Sequence, residues 1–77
     1  MEKAYVLLSF ARGQEPQGVA FCSKIPGVNE IVQTWGVWDA VAKVEAENVT
    51  SIRTQIIERM REFGGLMGTM CLPIIPS

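Results

Sequence analysis

The feature that most constrains the fold is a series of six short segments, separated by glycine, proline or polar residues. Four segments are apolar and rich in β-forming residues, which is typical of strands. The other two have apolar residues three or four positions apart, which is typical of helices. The predicted strands cover residues 3–10, 28–35, 38–46 and 66–75, and the predicted helices cover residues 16–25 and 49–63.

Prolines, glycines and one asparagine stand where such segments begin and end. Pro16 suits the first turn of a helix, and Pro26 disfavours helical backbone at the residue before it. Asn48 is a good N-cap, and residues 64–65, both glycine, end the second helix. Pro73 predicts that the last strand lies at a sheet edge or leaves the sheet there. The order β-α-β-β-α-β predicts a ferredoxin-like α+β fold, with a four-stranded antiparallel sheet and both helices on one face.

The length of 77 residues predicts a single domain over residues 1–77. A domain this small buries only about 60% of its unfolded surface, so disulfides, metals or oligomerisation usually add to its stability. Cys22 and Cys71 are far apart and form no metal-binding motif, and histidine is absent. We therefore predict no metal, no cofactor and no catalytic residue. Oligomerisation is the remaining means of adding to the core.

The predicted sheet is apolar on both of its faces. The first strand has Ala4, Val6, Leu8 and Phe10 on one side, and Tyr5 and Leu7 on the other. The last strand has Met67 and Cys71 on one side, and Met70, Leu72 and Ile74 on the other. Because the helices can cover only one face, the pattern predicts that the second face packs on another subunit. The charged fraction of 19%, below the usual value of about 25%, agrees with a partly covered surface.

The charge balance and the N-terminal segment exclude two classes of partner. A net charge of −1 and a pI near 5.3 argue against a surface that binds nucleic acid directly. Residues 4–10 are apolar but too few to span a membrane, and no cleavage site follows them. We expect a cytoplasmic protein with no membrane partner.

Three stretches resemble one protein family in order and spacing. They are Ile25-Pro26-Gly27-Val28, Trp35-Gly36-Val37-Trp38-Asp39 and Val41-Ala42-Lys43-Val44. The set is similar to the RAM domain, the C-terminal effector domain of the Lrp/AsnC transcriptional regulators, and the resemblance covers residues 3–75. It implies a homodimer with sheets packed face to face, often assembled into an octamer, with an amino-acid effector bound between dimers.

Regulators of this family carry an N-terminal helix-turn-helix. Because the first predicted strand begins at the third residue, we expect no such module in this chain. The chain therefore resembles the stand-alone members of the family, and full-length Lrp/AsnC-type regulators are candidate partners.

The predicted ligand site is the connection between the second and third strands. A free amino acid needs an acceptor for its ammonium group and N–H donors for its carboxylate. Asp39 is the only acid near this turn, and its carboxylate can form a charge-assisted hydrogen bond with an ammonium group. Gly36 lets the backbone approach a ligand, and the amides of Gly36, Val37 and Trp38 can form an anion-binding nest. The Trp38 ring offers an apolar wall for the ligand side chain.

The resemblance adds a pair of hydroxyl residues on the last strand. Thr69 matches the first position of this pair, whereas Cys71 stands at the second and is a weaker donor. The predicted ligand-binding set is Gly36, Val37, Trp38, Asp39, Thr69 and Cys71.

Each of these residues also has a purely structural interpretation. Asp39 can cap the hairpin with its side chain, Gly36 can supply positive φ, and Trp38 can belong to the core or to an interface.

Two other functions fit the same topology. An ACT-like regulatory domain would bind its ligand near residues 12–15, and a small dimeric enzyme would need a proton-transfer residue. The absence of histidine argues against the enzyme.

Overall fold

A computed structural model describes residues 1–76 and confirms the predicted order of elements. The strands are β1 (Glu2–Phe10), β2 (Val28–Gln33), β3 (Ala40–Ala46) and β4 (Leu66–Pro73), and the first helix is α1 (Glu15–Ser23). The second helix, α2, consists of Val49–Ser51, a π-helical segment Ile52–Ile57, and Glu58–Met60. No helix within residues 1–76 has the length and apolar character needed to cross a bilayer.

The four strands form one sheet in the order β2-β3-β1-β4, and each neighbouring pair is antiparallel. The two central strands, β1 and β3, therefore come from distant parts of the chain. β4 is an edge strand, and Pro73 pairs with Ala4 at its end, which agrees with the position predicted from the proline. This is the ferredoxin-like fold.

The core lies between the helices and one face of the sheet. Alternate residues of β1 are fully or almost fully buried there, and so are alternate residues of β3. The β3 residues are mostly alanines, whose small side chains leave room for the large side chains of α2 that pack over this strand. The buried side chains of these three elements are Ala4, Val6, Leu8, Phe10, Ala40, Ala42, Val44, Ala46, Ile52, Ile56, Ile57 and Met60.

The connection between β2 and β3 is longer than the two-residue turn that the sequence predicted. β2 ends at Gln33 and β3 begins at Ala40, so six residues, 34–39, form the loop. The amide of Thr34 donates to the carbonyl of Asp39 across the base of the loop, at 2.9 Å. The amide of Asp39 bonds to β1 instead, where it donates to the carbonyl of Leu8 at 2.8 Å. These bonds open the predicted hairpin into a broad loop.

Helix α2 ends earlier than predicted and widens in its middle. The amide of Glu58 donates to the carbonyl of Arg53, five residues back, which is the π-helical pattern. The helix ends at Met60, and Phe63 lies beyond it, in edge-to-face contact with Phe10 at a centroid distance of 5.9 Å. Phe63 therefore packs against the core from a turn and not from the helix that was predicted to contain it.

Candidate functional site

The loop of residues 34–39 forms one wall of an open cleft beside the start of α1. The cleft has a volume of about 370 Å³. A positive φ of 116° at Gly36 gives the tip its shape, and the hydroxyl of Thr34 donates to the carbonyl of Trp38 at 2.7 Å. The lining residues are Glu15, Gln33, Thr34, Trp35, Gly36 and Asp39.

The Asp39 carboxylate is fixed by the backbone of β1. Its Oδ2 atom accepts a hydrogen bond from the amide of Phe10 at 2.8 Å, in a partly buried position. The side chain therefore does cap a backbone group, although that group lies on β1 and not in the hairpin. Within residues 1–76, Oδ1 has no hydrogen-bond partner. One oxygen orients the carboxylate and the other is available to a ligand.

The loop also presents several backbone donors. The amides of Trp35, Gly36, Val37 and Trp38 donate to no carbonyl in the part of the chain that the structure describes. Successive free amides in a loop provide partial positive charge for an anion such as a carboxylate. The loop thus combines a fixed carboxylate with a run of free N–H groups.

Two of the predicted loop residues lie outside this cleft. Val37 is 88% exposed at the loop tip, and Trp38 is half-buried. Neither side chain lines the cleft. Both are on the surface where a second molecule could meet them.

The two predicted residues of β4 are also separate from the cleft. Thr69 pairs with Leu8, which also pairs with Ala40 of β3, so β1 lies between Thr69 and the loop. Thr69 lines another open cleft, of about 240 Å³, together with Arg61. The structure therefore brings Gly36 and Asp39 together and leaves Thr69 elsewhere on the surface.

Cys71 lies farther along β4, opposite Val6, and is half-buried on the helix side of the sheet. Burial raises the pKa of the Cys71 thiol, and the charge of Arg53 opposes that shift. Cys71 is thus a protonated thiol at neutral pH and a weak donor. No group of potential metal ligands occurs among residues 1–76.

Glu15 also lines the cleft, and it lies in the range 12–15 that only the ACT-like alternative predicted as a ligand site. It is the first residue of α1, and the fold places this helix end against the loop that contains Asp39. The two acids are distant in the sequence, so no local motif connects them. They come together because the helix that follows β1 packs near β2.

The second surface of interest is the outer sheet face, which is the face that the helices do not cover. The cross-strand register places its apolar residues side by side, with Tyr5 opposite Leu72 and Leu7 between Met70 and Val41. Tyr5, Val32, Met70 and Leu72 are 41–47% exposed. The apolar residues of the outer sheet face are Tyr5, Leu7, Val32, Val41, Met70 and Leu72. The same face also carries Lys43 beside Tyr5 and Glu30 beside Lys43.

Comparison with known proteins relates the chain to transcriptional regulators. No family model matches it. A helix-turn-helix-type transcriptional regulator of Pyrococcus furiosus, itself uncharacterised, is 38% identical over 50 residues, which are 65% of this chain and 33% of the relative. A similar regulator of Pyrococcus horikoshii is 36% identical over 50 residues, with the same shares of the two chains. The chain thus spans about a third of the length of the curated relatives it matches.

Several solved structures match the chain over nearly all of its length. The protein TTHA0845 from Thermus thermophilus has a TM-score of 0.92 and 21% identity, with 100% of this chain and 96% of that chain covered. FFRP-DM1 has a TM-score of 0.89 and 25% identity, with 97% and 100% covered. Domains of this size and fold therefore occur as separate solved chains.

Longer regulators contain the same fold as one part. Escherichia coli AsnC has a TM-score of 0.88 at 14% identity, and 99% of this chain matches 52% of AsnC. A Neisseria meningitidis transcriptional regulator, solved as a complex with L-Met, has a TM-score of 0.82 at 12% identity, over 97% of this chain and 50% of that one. The chain is thus similar in sequence to helix-turn-helix-type regulators of Pyrococcus and similar in fold to FFRP-DM1 and to one part of AsnC, as expected for a RAM-type domain of the Lrp/AsnC regulators.

Proposed function

We propose that this domain binds a free amino acid and assembles with further copies, with no DNA-binding or catalytic activity of its own. The observation that carries the proposal is the composition of the cleft beside the loop of residues 34–39. Asp39 offers one carboxylate oxygen without a partner there, and the amides of the lining residues Trp35 and Gly36 have no partner among residues 1–76. This combination matches the two charged groups that every free amino acid carries.

The ligand is held by its ammonium and carboxylate groups. The ammonium donates to Oδ1 of Asp39, whose position is fixed because Oδ2 already accepts from the amide of Phe10. The ligand carboxylate accepts from the free amides around Gly36. The Neisseria meningitidis regulator, which shares the fold, is an amino-acid complex, and this supports the ligand class.

The open cleft surrounds only one side of a ligand, so a second copy of the chain closes it. Val37, Trp38, Thr69 and Cys71 lie outside the cleft of their own protomer. In the proposed assembly Val37, Trp38 and Thr69 contact ligand bound to a neighbouring copy, whereas Cys71 packs against the core of its own protomer. The site is then complete only in the oligomer.

The outer sheet face is the surface that joins two copies into a dimer. A stable interface usually buries about 800 Å² per partner. That area is about one sixth of the 4995 Å² surface of the protomer. The same face would allow mixed dimers with full-length regulators whose effector domains share the fold.

Calorimetric titration with the twenty amino acids tests ligand binding directly. We expect at least one to bind the wild-type protein, and Asp39→Asn to weaken that binding by about tenfold or more. The asparagine keeps an oxygen to accept from the Phe10 amide, so the loop retains its shape while the charge is lost.

Asp39→Ala is the comparison variant, because it removes both the charge and the hydrogen bond between the Asp39 side chain and the Phe10 amide. If none of the amino acids binds the wild-type protein, the ligand-binding function is wrong and only the assembly role is left. If Asp39→Asn binds as tightly as wild type, the site lies elsewhere.

A further inference from the structure

The cleft holds two carboxylates and no cationic side chain. Glu15 and Asp39 are the charged residues of its lining, and the other lining residues are neutral. Glu15 is half-buried at the first position of α1. The cleft therefore carries more negative charge than binding of one ammonium group requires.

In the proposed complex, each charged group of the bound amino acid has a partner in the cleft. Asp39 neutralises the ammonium group, and neutral backbone amides receive the carboxylate. Glu15 is then left without a partner beside the ligand. Covering a carboxylate with an apolar side chain removes its water and costs free energy, whereas a cationic group compensates it.

Trp35 adds a second feature that favours a cation. Trp35 is one of the residues that line the cleft, and its side chain is fully exposed, at 101% of its reference surface. The face of an indole ring attracts ammonium and guanidinium groups, and it is the best of the aromatic side chains for this. A carboxylate and an exposed indole in one cleft together suit a long cationic side chain.

We propose that the ligand of this cleft is an amino acid with a cationic side chain, and that Glu15 is the residue that selects it. This proposal rests on the function proposed above. Glu15 contacts the distal cationic group, Trp35 packs against the stem and the charge, and Asp39 holds the α-ammonium group.

Paired ligands and a paired variant test the selectivity. L-Arginine and L-citrulline have nearly the same shape, but only arginine carries the distal charge. We expect the wild-type protein to bind L-arginine about tenfold more tightly than L-citrulline in calorimetric titrations. Glu15→Gln should bring the two affinities within about twofold of each other, with L-citrulline binding unchanged.

Glu58→Gln is the matched control, because it removes an equal charge from the exposed surface of α2. It should leave the preference for L-arginine intact, and thermal unfolding verifies that both variants are folded. Equal affinity of wild type for the two ligands, or an equal loss of both in Glu15→Gln, would overturn the selectivity role. Binding of uncharged amino acids alone would contradict the selectivity role of Glu15 but would agree with the ligand-binding function. If no amino acid binds, both proposals are wrong.

Discussion

At the scale of single residues, Gly27 is the position where the backbone permits the least change. Its φ is 99°, and an added Cβ would lie 2.6 Å from Cδ1 of Ile56 and 2.9 Å from the carbonyl oxygen of Glu45. Gly27→Ala therefore combines an unfavourable φ with a contact against backbone. We expect it to lower the free energy of unfolding by about 1–3 kcal/mol in urea titrations.

Gly64→Ala is the control for this prediction. Gly64 has negative φ and nothing within 4 Å of an added Cβ, so its replacement should change stability by no more than about 1 kcal/mol. Equal losses at the two positions would show that the close packing around Gly27 is wrong.

Cys22 makes stability depend on pH in the alkaline range. Burial raises the pKa of its thiol from the ordinary value of 9.0 to about 11. The unfolded chain releases this proton above pH 9 while the folded chain retains it until about pH 11, so stability falls as the pH rises through this window. We expect Cys22→Ala to lose less stability than wild type between pH 9 and pH 11 in urea titrations. Parallel losses in the two proteins would contradict this role of the thiol.

At the scale of elements, the start of α2 depends on one side chain. The Oδ1 atom of Asn48 accepts from the amide of Ser51 at 2.7 Å, which satisfies one of the free donors of the first turn. Asn48→Ala should lower the free energy of unfolding by about 1 kcal/mol, measured by thermal or urea unfolding. Asn29→Ala, which removes an exposed side-chain bond of 3.3 Å to Glu45, should cost less than about 0.5 kcal/mol. The reverse order of the two losses would count against the cap.

The sequence was sufficient to predict the element order, because each strand and helix has its own periodicity and the boundary residues Pro16, Pro26 and Asn48 act locally. The loop of residues 34–39 was not predictable in the same way. Its shape depends on bonds from Asp39 to β1, and the Phe10 amide is 29 positions away in the sequence. The π-helical segment Ile52–Ile57 was also missed, since apolar spacing does not distinguish four-residue from five-residue hydrogen bonds.

The candidate site was predicted only in part for the same physical reason. Gly36 and Asp39 belong to one loop, and they do line one cleft. Glu15 joins them only because the fold sets α1 against that loop. Thr69 and Cys71 do not line this cleft, because β1 lies between β4 and the strand that the loop leads into.

At the scale of the whole molecule, the outer sheet face should control assembly. Leu7 lies at its centre, between Met70 and Val41. Leu7→Lys would bury an unpaired charge in the dimer interface, so we expect dissociation into protomers and a lower melting temperature. Gln55→Lys places the same charge on the exposed surface of α2 and should leave assembly unchanged. Light scattering coupled to size-exclusion chromatography measures both variants, and an intact oligomer in Leu7→Lys would exclude this face.

The most direct test is the mass of the wild-type protein in solution, since a small domain with an apolar second face should not be stable alone. Sedimentation equilibrium at micromolar concentration measures this mass. We predict a dimer or a larger multiple of the 8.5 kDa chain. A single species of 8.5 kDa at all concentrations tested would contradict both the assembly of copies and the ligand site that they complete.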